Sequence, residues 1–334
     1  MEVFRKGVAT LLIVMMIVGF AGCSNSGKKE AAESTSASTE ESTKAGADKE
    51  GDKKIVLGMT LYSLKNEFTV RLANAATAKA EELGVELKIY DGNYDPSTQI
   101  SQIETMISDG VDGIILNPQD AEALSVGVDK AVAAGIPVVG VNTRVQSDKL
   151  TSYVGSQDVY AGELETQFMV DLVGSKFNTV IIEGPLGQSA QIERRQGIQN
   201  VIDKNPEIKV LAEKTANWSR SEAMTIMENW LNAFDDIDAV IAENDEMALG
   251  AREAIKAKGL DIPVIGVDGI TDALNAVESG EMVASIFQDG AGQGSKAVEV
   301  LVNAVNGQAV DKEYWIDFEP VTKDNVAEFK LRAQ

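Results

Sequence analysis

The chain has 334 residues, 52 of them acidic and 30 basic, for a formal charge of −22. It contains no histidine and a single cysteine. These counts exclude histidine-based triads and the commonest metal ligand. So acidic a balance also disfavours phosphate backbones, so no nucleic-acid partner is expected.

The first element reads as an export signal. Arg5 and Lys6 precede a run from Val8 to Phe20 that is apolar apart from Thr10 and Gly19. A membrane-spanning helix needs about 20 apolar residues, and this run is shorter. Residues 1–22 are therefore expected to be a cleaved signal peptide. The small residues of Ala21-Gly22-Cys23 resemble a bacterial lipobox, with Phe20 where leucine is usual. That resemblance implies a lipid on Cys23, anchoring the protein to the outer face of the cell membrane. No thiol is then left for a disulfide, a redox pair or a metal site. Loss of Glu2, Arg5 and Lys6 with the signal makes the charge −23. Residues 24–52 hold no apolar side chain larger than alanine. Such a segment cannot bury enough surface to offset chain entropy. A disordered tether over 23–53, reaching on the order of 30 Å, is expected.

Beyond it, β-branched runs predict strands at Ile55–Met59, Glu86–Tyr90, Gly113–Leu116, Pro137–Val141 and Ser152–Val154. A second series follows at Thr179–Ile182, Lys209–Ala212, Ala239–Ile241, Pro263–Val267 and Val283–Phe287. Helical spacing fills the intervals, as in Phe68, Leu72, Ala75, Ala76 and Leu83, or Met224, Met227, Trp230, Leu231 and Phe234. Pro96-Ser97 and Ser221 precede helical runs, and Gly84, Gly135 and Gly259 close them. Such alternation implies parallel sheets covered on both faces.

Residues 111–142 (VDGIILNPQDAEALSVGVDKAVAAGIPVVGVN) are echoed by 237–268 (IDAVIAENDEMALGAREAIKAKGLDIPVIGVD). Each unit is a strand ending in Asn, a helix closed by Gly, and a Pro-Val strand ending in Asn or Asp. Two related lobes explain the matched polar ends. Ligands of open parallel sheets bind beyond the carboxyl ends of the strands. Those ends carry Tyr62, Asn66, Asn117, Asn142 and Arg144, then Arg194, Asn244, Asp268 and Gln288. Amides, a carboxylate and a guanidinium together suit hydroxyl groups, which both donate and accept. Phe68 and Trp218 are candidate walls for the C–H faces of a ring. Asp120 and Asp245 each open a helical run and read as helix caps. Trp230 reads as core.

From Ile55 to the C-terminus the chain resembles the ribose-type periplasmic sugar-binding proteins, type I fold, of bacterial ABC importers. The segments that carry this are LKNEFTVRLANAATAKAEELG, DGIILNPQDAEAL, AGIPVVGVN, QSAQIERRQGI, AENDEMALGA, VIGVDG and ASIFQDG. The resemblance implies two doubly wound, Rossmann-like α/β lobes joined by a three-segment hinge near 156–158, 288–290 and 316–318. The lobes would be 54–157 with 289–317, and 158–288 with 318–334. It places ligand-binding roles on Asn66, Phe68, Asn117, Asn142, Arg144, Arg194, Trp218, Asn244, Asp268 and Gln288. It implies a monomer that passes a neutral sugar, sugar alcohol or cyclitol to an ABC permease and ATPase, with no cofactor. The chain departs from the ribose pattern at Thr69, at Val267 and at Asn142-Thr143-Arg144. GPLGQSAQIERRQGI is closer to inositol- and polyol-type members. Around Asp203–Glu207 the alternating ligands and central glycine of a calcium loop are missing, so no metal is expected.

Two rival readings use other features. Acids at Asp235-Asp236 and around Glu243–Glu246 could serve a carboxylate enzyme, but on so acidic a chain they read as solvated surface. Gly184–Ser189 lacks the Lys-Ser/Thr of a phosphate loop. A sensor that presents its ligand to a chemoreceptor or kinase uses the same clamp, and the sequence leaves that alternative open.

Overall fold

A computed structural model describes residues 54–333; the expected signal peptide, Cys23 and the expected tether lie outside them. The chain folds in order as β1 (Val56–Leu61), α1 (Glu67–Glu82), β2 (Glu86–Asp91), α2 (Pro96–Ser108), β3 (Gly113–Asn117), α3 (Ser125–Ala133), β4 (Val138–Val141) and β5 (Ser152–Gly155). There follow α4 (Asp158–Val173), β6 (Asn178–Glu183), α5 (Ser189–Ile202), β7 (Lys209–Thr215), α6 (Arg220–Ala233), β8 (Ala239–Ala242), α7 (Asp245–Ala257), β9 (Val264–Asp268), α8 (Thr271–Ser279) and β10 (Ala284–Phe287). The C-terminal part adds α9 (Gly290–Val305), β11 (Glu313–Trp315), β12 (Glu319–Val321) and α10 (Val326–Arg332).

The strands form two six-stranded sheets of identical winding, β2-β1-β3-β4-β5-β11 and β7-β6-β8-β9-β10-β12. Every pairing is parallel except the antiparallel one between β10 and β12. Central strands such as β3, β4, β8 and β9 are buried on both faces, as expected of parallel strands covered by helices. The strands expected to open at Pro137 and Pro263 instead begin at Val138 and Val264, because proline has no N–H for the ladder. Pro96 is the first residue of α2, behind the cap Asp95, and Ser219 rather than Ser221 caps α6.

The chain changes sheet three times: between β5 and α4, between β10 and α9, and between β11 and β12. The first two crossings exchange helices. After β5 of the first sheet, α4 packs against α5 of the second; after β10 of the second, α9 packs against α1 of the first. Both contacts have the same construction. Gly162 and Gly294 are each the fifth residue of the crossing helix. A Cβ on Gly162 would lie 2.0 Å from the Arg194 carbonyl oxygen, and one on Gly294 would lie 2.2 Å from that of Leu72. Arg194 and Leu72 are each the sixth residue of their helices. Backbone thus lies on backbone, with no room for a side chain between. Gly162→Ala and Gly294→Ala should each lower stability in urea by about 1–3 kcal/mol, the usual cost of overpacking, whereas an unchanged unfolding midpoint would show that these helices can part freely.

Candidate functional site

The two sheets present their strand ends to a narrow shared cavity. Its lining comes from both lobes: Tyr62, Phe68, Asn142 and Thr143 from the first, and Gln188, Ala190, Arg194, Trp218, Asn244, Asp268 and Gln288 from the second or its edge. The lobes touch around it. Ala121 donates its N–H to the Gly187 carbonyl at 3.1 Å, Gln188 Nε2 to the Pro118 carbonyl at 3.3 Å, and Arg71 Nη2 to the Gly269 carbonyl at 3.2 Å. This is a closed arrangement.

Arg194, on the buried face of α5, organises the interior and is only 3% exposed. Its Nε donates to Asp158 Oδ1 at 2.9 Å, Nη1 to the Glu243 carbonyl, and Nη2 to Gln288 Oε1 at 3.1 Å. Burial works against its charge, but Asp158 and Asp268 outweigh that and raise its pKa. Asp268 is different. Its nearest cation is Arg194 Nη1 at 3.9 Å, beyond hydrogen-bond reach. Burial pushes its carboxyl well above the usual range, against the pull of Arg194. Gln288 Nε2 is likewise buried with no partner among the described residues. The Asp268 carboxyl and an amide N–H thus face the cavity without a hydrogen-bond partner, and a hydroxyl supplies what each lacks.

Backbone conformation marks the same spot. Asn142 has φ 63 and Asp268 has φ 127; the left-handed region is costly for side chains other than Gly and Asn, and such strain gathers at ligand clamps. Trp218, also left-handed at φ 59, lies over Gly184, where a Cβ would come within 2.2 Å of its ring. Its Nε1 donates to Gln188 Oε1 at 2.6 Å, fixing the indole as one wall. Phe68 lies against Gly290, at the second crossing between the sheets.

Of the residues expected from sequence, Phe68, Asn142, Arg194, Trp218, Asn244, Asp268 and Gln288 meet in the cavity. Asn66 sits at its edge, lining the adjoining open groove. Its Oδ1 accepts from Tyr94 while its buried Nδ2 has no partner among the described residues. Asn117 and Arg144 lie elsewhere. The ladders pair Ile115 with Val139 and Ile241 with Ile265, so the counterpart of Asn117 is Glu243, not Asn244. One residue of offset turns a side chain to the other face. Asn117 therefore stays inside, donating to Val141 O and Thr143 Oγ1, while Asn244 reaches the cavity. Arg144 points outward between the rings of Tyr153 and Trp315, 4.3 and 4.8 Å from their centroids, and pairs with Glu313 at 3.1 Å.

Asp120 caps its own turn, accepting from Glu122 and Ala123. Asp245 does not: Asn244 caps α7, and the Asp245 carboxylate instead receives the N–H groups of Gly269 and Ile270. Nor are Glu243 and Asp245 solvated surface, since both are fully buried. Glu243 Oε2 accepts the Gly184 N–H, and burial lifts its carboxyl well above the usual range. Asp158 and Gln188 were not anticipated. Their sequence signals were slight, a lone acid at a crossing and an amide after a glycine. Among the described residues no group of three or more acids or cysteines could hold a metal ion.

Residues 57–309 match the family described as the periplasmic binding protein domain. The chain belongs to that family. Among its relatives, a xylitol-binding protein of Mycolicibacterium smegmatis is 41% identical over 273 residues, 81% of this chain and 78% of that protein. The ribose import binding protein of Bacillus subtilis is 36% identical over 260 residues, 78% and 85% of the two chains. An ABC transporter solute-binding protein from Bacillus halodurans, solved with bound myo-inositol, superposes with a TM-score of 0.81 at 37% identity, over 84% of this chain and 99% of that one. The two sheets and their exchanged helices are thus the type I fold of periplasmic binding proteins.

Glu193, next to Arg194, gives this periplasmic binding protein a pH signature. Burial, then Asp158, pushes its carboxyl up to about 7 from 4.5, against Arg144 and Arg194. The folded state therefore holds the proton more tightly, and this contribution to stability, full below about 4.5, is lost as pH rises through 7. Urea unfolding at pH 5 and pH 8 should show a smaller difference in Glu193→Gln than in the parent; equal differences would remove Glu193 as the cause.

Proposed function

We propose that the protein is an exported lipoprotein, anchored through Cys23, that captures a neutral sugar, sugar alcohol or cyclitol between its lobes and delivers it to an ABC importer. It acts as a monomer and performs no catalysis. The observation that carries this reading is the cavity between the two sheets, in which the Asp268 carboxyl, 3.9 Å from Arg194, and Gln288 Nε2 have no hydrogen-bond partner among the described residues. The charge of Arg194 is answered by Asp158 at 2.9 Å and Asp268 at 3.9 Å, so it does not await an anionic ligand. Relatives named for xylitol and ribose, and a neighbour holding myo-inositol, point to the same class of guest.

In this reading Phe68 and Trp218 hold the faces of a ring, while Asn142, Arg194, Asn244, Asp268 and Gln288 serve its hydroxyls. Asn66 contributes its free amide N–H from the rim. The lobes, 54–157 with 289–317 and 158–288 with 318–334, close about the three crossings. Ligand shifts the population toward closure by binding that form better, and the importer recognises the closed form.

A thermal-shift panel of xylitol, myo-inositol, D-ribose and related compounds tests the class directly. A compound at ~100 times its dissociation constant stabilises by about 2.7 kcal/mol, whereas no shift from any polyol or sugar would discard the proposal. Asp268→Ala should weaken the best compound by about tenfold or more, the loss of a charge-assisted hydrogen bond in a dry site. A change below threefold would assign Asp268 a structural role.

A further inference from the structure

The helices that follow the first strand of each lobe, α1 and α5, begin with Glu67 and Ser189. Each of these first residues reaches across the cleft. Glu67 Oε1 accepts the Thr271 N–H at 2.9 Å and the Thr271 hydroxyl at 2.7 Å. Ser189 Oγ accepts the Arg144 N–H at 2.6 Å. The receiving segments correspond as well. Arg144 lies two residues after Asn142 at the end of β4, and Thr271 three after Asp268 at the end of β9. Those two strand ends are the matched, left-handed positions that line the cavity. The connection is therefore made twice, in opposite directions, by equivalent parts of the two lobes.

Neither connection exists within a single lobe. Thr271 is the first residue of α8, whose own capping position, Ile270, offers no side-chain acceptor; the acceptor comes from the other lobe. Arg71, one turn along α1 from Glu67 and bonded to it at 3.1 Å, adds a second crossing to the Gly269 carbonyl. Opening the cleft would return all of these groups to water.

We infer that Glu67 and Ser189 form a pair of latches that set how tightly and how long the ligand is held, without touching it. They are positioning residues. Each fixes the loop beginning with Asn142 or Asp268 in its closed-form position, so the ligand and the latch stabilise the same state. The inference rests on the proposed capture of a ligand by closure, but the latches themselves are visible without one.

Two readouts on the whole chain keep these apart. With myo-inositol, xylitol and D-ribose as probes, Trp fluorescence follows binding, since Trp218 lines the cavity. Losing one or two modest hydrogen bonds at about 0.5–1.5 kcal/mol each should weaken binding roughly tenfold in Glu67→Ala and roughly threefold to tenfold in Ser189→Ala. The change should fall on the dissociation rate, with the association rate held within about twofold. Because both latches bias one equilibrium, the double variant should show the product of the two effects. Ser189→Thr, which keeps the hydroxyl, should recover most of the loss.

Hydrogen exchange at the Thr271 and Arg144 amides supplies the second readout. Protection at Thr271 should fall in Glu67→Ala and at Arg144 in Ser189→Ala. If no probe binds yet these amides are protected in the parent and exposed in the variants, the latches stand and the ligand assignment fails. If a probe binds the variants as tightly as the parent, or the two amides exchange at parental rates in both variants, the latches are overturned.

Discussion

The interior depends on one buried guanidinium. Arg194 ties together the start of the first crossing helix through Asp158, the end of β8 through the Glu243 carbonyl, and the second crossing through Gln288. A buried cation is tolerated only when its neighbours match it, and here two of the three, Asp158 and Gln288, stand at crossings between the sheets. Asp158 is itself raised by burial and held down by Arg194. The network is complete on the protein side and leaves Asp268 outside hydrogen-bond reach. Site and hinge are therefore one structure: what fixes the arginine also leaves an unmatched carboxylate facing the cavity.

Duplication explains how so small a set of residues closes a cleft. The two sheets share a strand order, the crossing helices meet their partners through equivalent glycines, and the loops after β4 and β9 share a left-handed residue. The halves also differ where they meet the cavity. Leu72 and Arg194 occupy equivalent helix positions, one filling a core and the other serving a cavity. Asn142 and Asp268 give that cavity an amide on one side and a carboxylate on the other.

Much of this was legible in the residues because it follows from periodicity and local chemistry. β-branched runs located five of the six strands in each sheet, and the repeated Gly-Val-Asn and Gly-Val-Asp ends located two residues of the cavity. The direction of a strand-end side chain was less legible. Asn117 and Asn244 look like equivalent strand ends in a sequence, but the ladder shifts them by one residue, and that shift buries one and exposes the other to the cleft. Arg144 was misplaced for a related reason: a strand end gives a position, not a direction, and Tyr153 with Trp315 draws the guanidinium outward. The short strands β11 and β12 carry only three residues each, too few to show a period. Asp158 had only a slight signal, since most of its meaning comes from an arginine 36 positions away.

The central claim is that a hydroxyl-bearing guest holds two matched lobes shut. Small-angle scattering with and without the polyol or sugar that binds best tests it most directly, with occupancy checked by calorimetry in the same buffer. The radius of gyration should fall on saturation, as an open clamp becomes the closed one described above. An unchanged radius at full occupancy would contradict the account.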